Sequence, residues 1–352
     1  MAKAPKKTAA KKAKTTAKKV ASKSVEKEVA KKAVSKKAAT KKTTTAAKKA
    51  IAKKPAAQKK TKQRKSAAKV DKKVKGYGGG SVDVVMSVDQ VAKEAASIAA
   101  NAPTHKELLK LAGNEPLLTI DNLRAGYGKM EILHEFSLEV GKGQSLCLIG
   151  PNGAGKSTVL HSIFGFTNIF SGKISISGKD VTNLTPSQKL AEAGIAYILQ
   201  DKSVFPQMTV EENLLMGGFL KNKPVEAKAA ADMVFEKYSR LADRRDKPAG
   251  VLSGGERRLL EISRALVMNP EVLLVDEPSI GLEPRFIDMV FEILSDLQHK
   301  DGKTIIMVEQ NAKKGLSFAD IGYVLVSGET AIADFGDDLL ENPDVGRLFL
   351  GG

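Results

Sequence analysis

Gly150-Pro151-Asn152-Gly153-Ala154-Gly155-Lys156-Ser157 is the stretch on which the fold turns. It fits the spacing G-x-x-x-x-G-K-[ST]. It lies between an apolar, strand-like run (145–149) and a helix-like run that Thr158 opens (158–164). A phosphate loop requires that context. Glycines let the backbone turn tightly, so that successive N–H groups and a helix N-terminus converge on a polyphosphate. In this reading residues 150–158 cradle a nucleotide, Lys156 reaches the β- and γ-phosphates, and the Ser157 hydroxyl holds Mg²⁺. A glycine-rich turn with an incidental lysine is the competing reading, and the matching motifs downstream weigh against it.

Two such motifs follow. Val272-Leu273-Leu274-Val275-Asp276-Glu277 is an apolar strand that delivers two carboxylates at its C-terminal end. In a phosphate-loop sheet that edge faces the nucleotide. Asp276 is then placed to help hold Mg²⁺, and Glu277 to orient or deprotonate the attacking water. Leu252-Ser253-Gly254-Gly255-Glu256 precedes a long helical run containing Arg257, Arg258, Glu261 and Arg264. Ser-Gly-Gly at a helix start offers free N–H groups and a positive dipole end, a second anion site. By itself it is equally a helix N-cap after a glycine turn.

From residue 117 the pattern alternates between strand and helix. Strand candidates are 117–123, 132–140, 145–149, 173–177, 194–199, 272–275, 304–308 and 323–326. Helix candidates include 157–164, 225–241, 256–267 and 284–298. Continuous apolar strands such as 272–275 fit a parallel sheet covered by helices on both faces. Residues 117–352 suffice for one substantial core. They contain no internal repeat and a single phosphate loop.

The order Tyr127, Gly150 to Ser157, Gln200, Leu252 to Glu256, Asp276-Glu277, Ser279 to Pro284 and Gln310 resembles an ATP-binding cassette (ABC) ATPase across residues 117–352. Within that superfamily the chain most resembles the ATP-binding subunits of branched-chain amino-acid importers. The segments Met208-Thr209-Val210-Glu211-Glu212-Asn213-Leu214-Leu215-Met216-Gly217-Gly218, Asp276-Glu277-Pro278-Ser279-Ile280-Gly281-Leu282, Val308-Glu309-Gln310-Asn311 and Leu350-Gly351-Gly352 carry that likeness.

The resemblance implies an α/β phosphate-loop NTPase with a RecA-like core, an antiparallel β subdomain and a helical subdomain near 201–265. It implies ATP and Mg²⁺ as cofactors. Tyr127 would stack on adenine, and Gln200 would sense γ-phosphate and Mg²⁺. Ser253, Gly254, Gly255 and Glu256 would meet ATP held by an opposite subunit, and residues 279–284 would cross the dimer interface. The candidate catalytic set is Glu277, Gln200 and Gln310; the candidate metal set is Ser157, Gln200 and Asp276. The implied partners are a second cassette, identical or paralogous, and membrane permease subunits whose coupling helix enters the helical subdomain's groove. The implied location is the cytoplasmic face of the inner membrane.

Three positions depart from the common pattern. Glu256 stands where Gln is widespread. Glu283 replaces an Asp. Gln310 replaces a histidine; its amide can donate a hydrogen bond but cannot carry positive charge, so hydrolysis at its site is expected to be slower.

Composition divides the chain. Its 352 residues carry 57 Lys/Arg and 40 Asp/Glu, yet residues 1–75 alone hold 29 basic and 3 acidic side chains, a balance of +26 against −9 for the remainder. This stretch is mostly Lys, Ala, Thr, Ser and Val, with no aromatic before Tyr77. It cannot bury enough apolar surface to offset the entropy of ordering, so disorder is expected over 1–76, with a span of roughly 50 Å. A partly helical connector is expected over 77–116, with helices at 84–100 and 105–111.

The tail is similar to those of linker histones. Its readings are non-specific nucleic-acid binding by counterion release, attraction to an anionic membrane surface, or plain solvation. A single cysteine, Cys147, rules out an intramolecular disulfide. No apolar run approaches 18 residues, and an N-terminus without an apolar stretch argues against a signal peptide. The four histidines, His105, His134, His161 and His299, have no ligand-like spacing. Two alternatives to import remain open. One is lipopolysaccharide-type export, because 252–258 also resembles that ATPase; the other is a soluble nucleic-acid- or ribosome-associated ABC ATPase. A single cassette without long coiled-coil insertions argues against the latter.

Overall fold

The computed structural model describes residues 103–113, 115–200 and 203–350, all within the unit that runs from 81 to 352. The expectations for the basic tail (1–76), the helix at 84–100, the first two residues of the helical subdomain and the terminal Gly351-Gly352 lie outside the described residues.

Two sheets organise the molecule. The first is antiparallel: β1 (Pro116–Tyr127), β2 (Met130–Gly141), β4 (Asn168–Ile176) and β5 (Lys179–Asp180), in the order β2-β1-β4-β5. The second contains β3 (Ser145–Ile149), β6 (Ile195–Ile198), β7 (Val272–Asp276), β8 (Thr304–Val308), β9 (Ile321–Val326) and β10 (Glu329–Phe335), in the order β10-β9-β3-β8-β7-β6. Its pairs are parallel except the β9–β10 hairpin at one edge. Every residue of β3, β7, β8 and β9 is buried, which explains why these strands read as unbroken apolar runs. Tyr323 of β9 pins the sheets together: its hydroxyl accepts from the Glu139 N–H of β2 at 3.1 Å.

Helices cover the parallel sheet. α1 (His105–Leu111) buries Leu108 and Leu111 against β2 and β10, and the Gln144 amide donates to the Leu111 carbonyl at 3.1 Å. The connector's second helix thus packs with the two sheets. α2 (Lys156–Phe164) follows the phosphate loop, and α3 (Pro186–Ala191) precedes β6. α8 (Pro284–His299), α9 (Ala312–Phe318), α10 (Gly336–Glu341) and α11 (Pro343–Phe349) complete the far side.

Between β6 and β7 lie α4 (Val210–Gly217), α5 (Pro224–Lys237), α6 (Ser239–Ala242) and α7 (Gly254–Leu266). They share an apolar core of their own, which includes Val210, Leu214, Phe235, Leu241, Leu252 and Leu260. The single helix expected over 225–241 is broken at Tyr238, whose φ of −124° and ψ of 85° leave the helical region. Glu329–Phe335 had no place among the strand candidates: its burial does not alternate cleanly.

Candidate functional site

The phosphate loop crosses from the buried end of β3 into α2. Gly155 caps that helix with φ 101°, and Gly153 has φ 83° with nothing within 4 Å of where a β-carbon would stand. The loop therefore borders open space at Gly153. The Lys156 ammonium is folded onto the loop, donating to the Gly150 and Pro151 carbonyls at 2.9 and 3.0 Å. Burial pulls it below its ordinary value, while Glu277 and Asp276 oppose the shift. A cleft of about 270 Å³ is lined by Ile132, Asn152, Gly153, Gly155, Lys156, Ser157, Thr158 and Glu277. Glu277, from the end of β7, meets the loop there, although β8 separates β7 from β3.

Ser157 Oγ donates to Asp276 Oδ1 at 3.2 Å, and Tyr197 donates to Asp276 Oδ2 at 2.7 Å. Gln200 Nε2 donates to Glu277 Oε2 at 2.7 Å. Glu277 sits at φ 43°, a left-handed conformation that costs a non-glycine residue on the order of 1–3 kcal/mol. Its N–H donates to the Val308 carbonyl at 2.9 Å, which fixes the strained turn. Burial, then the neighbouring charges of Asp276 and Glu309, push its carboxyl above the usual carboxylate range. A raised carboxyl at the mouth of a phosphate-binding cleft suits a general base. A hydroxyl, a carboxylate and the side-chain oxygen of Gln200 are hard donors that fit Mg²⁺. Bound there, the ion would neutralise phosphate charge. Among the described residues no cluster of three His, Cys, Asp or Glu offers another metal site.

Other candidates lie outside this cleft. Tyr127, at the end of β1, is 43% exposed; its hydroxyl bonds the His161 ring on α2 and leaves ring surface for stacking. Ser253 caps α7: its hydroxyl accepts from the Glu256 N–H at 3.3 Å, and Glu256 accepts from the Ser253 N–H at 2.9 Å. That backbone bond holds the Glu256 carboxyl below its usual range. In place of the widespread Gln, Glu256 thus completes a capping box. Gly255 must be glycine, since a β-carbon would lie 2.3 Å from the Phe286 ring. Gly254 lines a second cleft, of about 450 Å³, with Gln200, Arg258, Ile280 and Leu282. Gln310 is exposed just beyond β8.

Three residues join these parts, and the sequence reading gave none of them a role in the site. Tyr197 holds Asp276. Glu309, 1% exposed, accepts from Ser279 Oγ, Asn311 N and Ser279 N at 2.7, 2.9 and 3.3 Å, tying the loop after β7 to the end of β8. Arg258, 4% exposed, donates to the Leu199 carbonyl at 2.7 Å and to Glu261 at 2.9 Å, linking α7 to the segment between β6 and Gln200. A buried arginine in a helix was the one available clue, because such a charge requires partners.

A phosphate loop closed by lysine and serine, with an aspartate held against that serine and a glutamate at the cleft, defines a phosphate-loop nucleoside triphosphatase. Sequence and structure relatives narrow the class. The family model described as ABC transporter matches residues 133–280. The chain is 43% identical over 236 residues to the high-affinity branched-chain amino acid transport ATP-binding protein BraG of Pseudomonas aeruginosa, covering 67% of this chain and 100% of that protein. It is 32% identical over 237 residues to the lipopolysaccharide export system ATP-binding protein LptB of Haemophilus influenzae, covering 67% and 97%. The crystal structure of a nucleotide-free ATP-binding cassette from an ABC transporter superposes with a TM-score of 0.60 at 29% identity, covering 67% of this chain and 100% of that one. The chain belongs to the ATP-binding subunits of ABC transporters, and it is an ATPase.

Proposed function

We propose that this chain is the energising subunit of an importer for branched-chain or other hydrophobic amino acids. The observation that carries this reading is the 43% identity over the whole length of BraG, against 32% for LptB. Each chain supplies the phosphate loop, Asp276 and Glu277 of one ATP site and residues 253–256 of the other. Two cassettes, identical or paralogous, close over two Mg·ATP and reopen after hydrolysis. Rate enhancement comes from positioning and from electrostatic stabilisation of the transferred phosphoryl group. Tyr127 stacks on adenine, Gln200 links metal and base, and Gln310 donates to the γ-phosphate from the end of β8.

Membrane permease subunits couple to the helical subdomain. A cleft of about 480 Å³ between that subdomain and β6, lined by Leu199, Phe205, Met216, Phe219 and Arg264, supports this reading. Phe205, Met216 and Phe219 are 46, 45 and 68% exposed, an apolar surface ready for a partner. The protein then works at the cytoplasmic face of the inner membrane; among the described residues no helix is long and apolar enough to cross it. The basic stretch 1–76 adds attraction to a polyanion, nucleic acid or anionic lipid. Salt titrations against duplex DNA and anionic vesicles, with and without that stretch, separate the two.

The decisive experiment is recovery from solubilised membranes with Glu277→Gln, which is expected to hold an ATP-bound dimer. Co-recovered permease subunits, together with ATP-dependent leucine uptake in reconstituted vesicles, support the proposal. Recovery with ribosomes or DNA alone refutes it, and a Glu277→Gln chain that hydrolyses ATP like the parent refutes the role given to Glu277.

A further inference from the structure

Asp276 is 6% exposed and its two carboxylate oxygens have different partners: Oδ1 accepts from Ser157 Oγ at 3.2 Å and Oδ2 from the Tyr197 hydroxyl at 2.7 Å. The phosphate loop explains the first contact. The second comes from β6, the strand beside β7, where Tyr197 pairs in register with Leu274. The tyrosine ring is held on three sides. It stacks on Phe164 at 5.5 Å between centroids with 27° between planes, and it meets His161 and Phe166 edge-on at 5.7 and 5.9 Å. Two of these rings belong to α2, the helix that carries Lys156 and Ser157.

We propose that Tyr197 is a positioning residue for the divalent cation: its phenol fixes one oxygen of Asp276 so that the other faces Ser157 and the metal. A lone aspartate at a strand end rotates about its terminal bond and samples orientations that aim neither oxygen at Ser157. A charge-assisted bond to a phenol held by three rings removes that freedom. Because the phenol donates, it also withdraws charge from Oδ2, which leaves Oδ1 the more available ligand. The aromatic cluster continues through His161 to the Tyr127 hydroxyl, so the same rings that steady the metal ligand border the residue assigned to adenine. The inference rests on the assignment of Asp276 and Ser157 to the metal.

Tyr197→Phe keeps the ring stack and removes only the donor. On the full chain, calorimetric titration of Mg²⁺ in the presence of a non-hydrolysable ATP analogue reads metal affinity without turnover. Loss of a group that orients a metal ligand typically weakens the metal by about 10- to 100-fold, and a shift of about tenfold is expected here. Binding of a fluorescent ATP analogue in EDTA, and the thermal midpoint, are expected to stay at parent values. Phe164→Leu, which loosens the stack but keeps the hydroxyl, is expected to shift Mg²⁺ affinity less. An unchanged Mg²⁺ titration for Tyr197→Phe overturns the proposal, as does an equal loss of nucleotide affinity in EDTA, which would mark a packing effect. A parent chain that binds the analogue no better with Mg²⁺ than in EDTA overturns the metal assignment itself.

Discussion

Gly150→Ala tests whether the phosphate loop is held by its neighbours or only by its own conformation. Gly150 has φ 143°, and a β-carbon there would stand 2.2 Å from the Leu325 carbonyl oxygen. Carbon–oxygen contacts settle near about 3.3 Å, so roughly 1 Å must be opened between the loop and β9. β9 cannot yield, because it is bonded on one side to β3 and on the other to β10. The loop must therefore move, and its phosphate-facing N–H groups move with it. A displacement of that size costs about 100-fold where geometry governs the chemistry, with on the order of 1–3 kcal/mol of backbone strain besides.

Gly153→Ala is the comparison. Its φ of 83° is strained for alanine, but nothing lies within 4 Å of the added carbon, so only about 1–2 kcal/mol of local strain applies. Fluorescent ATP titration and phosphate release, run beside circular-dichroism melts, should place Gly150→Ala about 100-fold below the parent in nucleotide affinity and Gly153→Ala within about tenfold. Equal binding by the two variants refutes the argument from the Leu325 carbonyl.

Lys189 is fully buried with its ammonium donating to the Ser162 and Ile163 carbonyls at 3.2 and 2.7 Å, at the C-terminal end of α2. Burial pulls it down to about 8 from 10.5. Between those two values the unfolded chain keeps a proton that the native state has lost, so this group's contribution to stability rises with pH. Below about pH 8 the charged side chain costs the fold on the order of 3 kcal/mol. Denaturant melts of the parent and Lys189→Met at pH 7 and pH 10 should therefore show the difference between them moving in the parent's favour at high pH; a fixed difference contradicts the assignment. Glu309→Gln sets an amide against donors from Ser279 and Asn311. Turnover at saturating ATP should fall about tenfold, since a frustrated buried hydrogen bond costs about 1–3 kcal/mol, while ATP affinity changes less than twofold. An unchanged rate would show that the tie between Glu309 and the loop after β7 has no part in hydrolysis.

The parts of this molecule that were legible in its sequence are those whose physics is local. Ser253-x-x-Glu256 reads as a helix start because it forms a capping box within three residues. The loop 150–157 is legible because its glycines, lysine and serine act within one turn of backbone. Ser145–Ile149 and Thr304–Val308 match their expected bounds because strands buried on both faces are apolar throughout. Burial that does not alternate hid β10, and a backbone break at one residue split α5 from α6.

The wiring of the site was illegible for a different reason. Tyr197 and Asp276 are 79 residues apart, and Ser279 and Glu309 are 30 apart. Nothing in the neighbourhood of either partner marks the contact, because each residue type suits its own strand end on local grounds. Motifs therefore disclose the groups assigned to the nucleotide, whose spacing the phosphate chemistry dictates. The groups that hold those groups still are chosen by the packing of β6 on β7 and of the loop after β7 on β8. They become visible only when the sheet order puts them side by side. A substitution that preserves every motif, such as Tyr197→Phe, is accordingly the kind that separates an assembled site from an assembled and correctly held one.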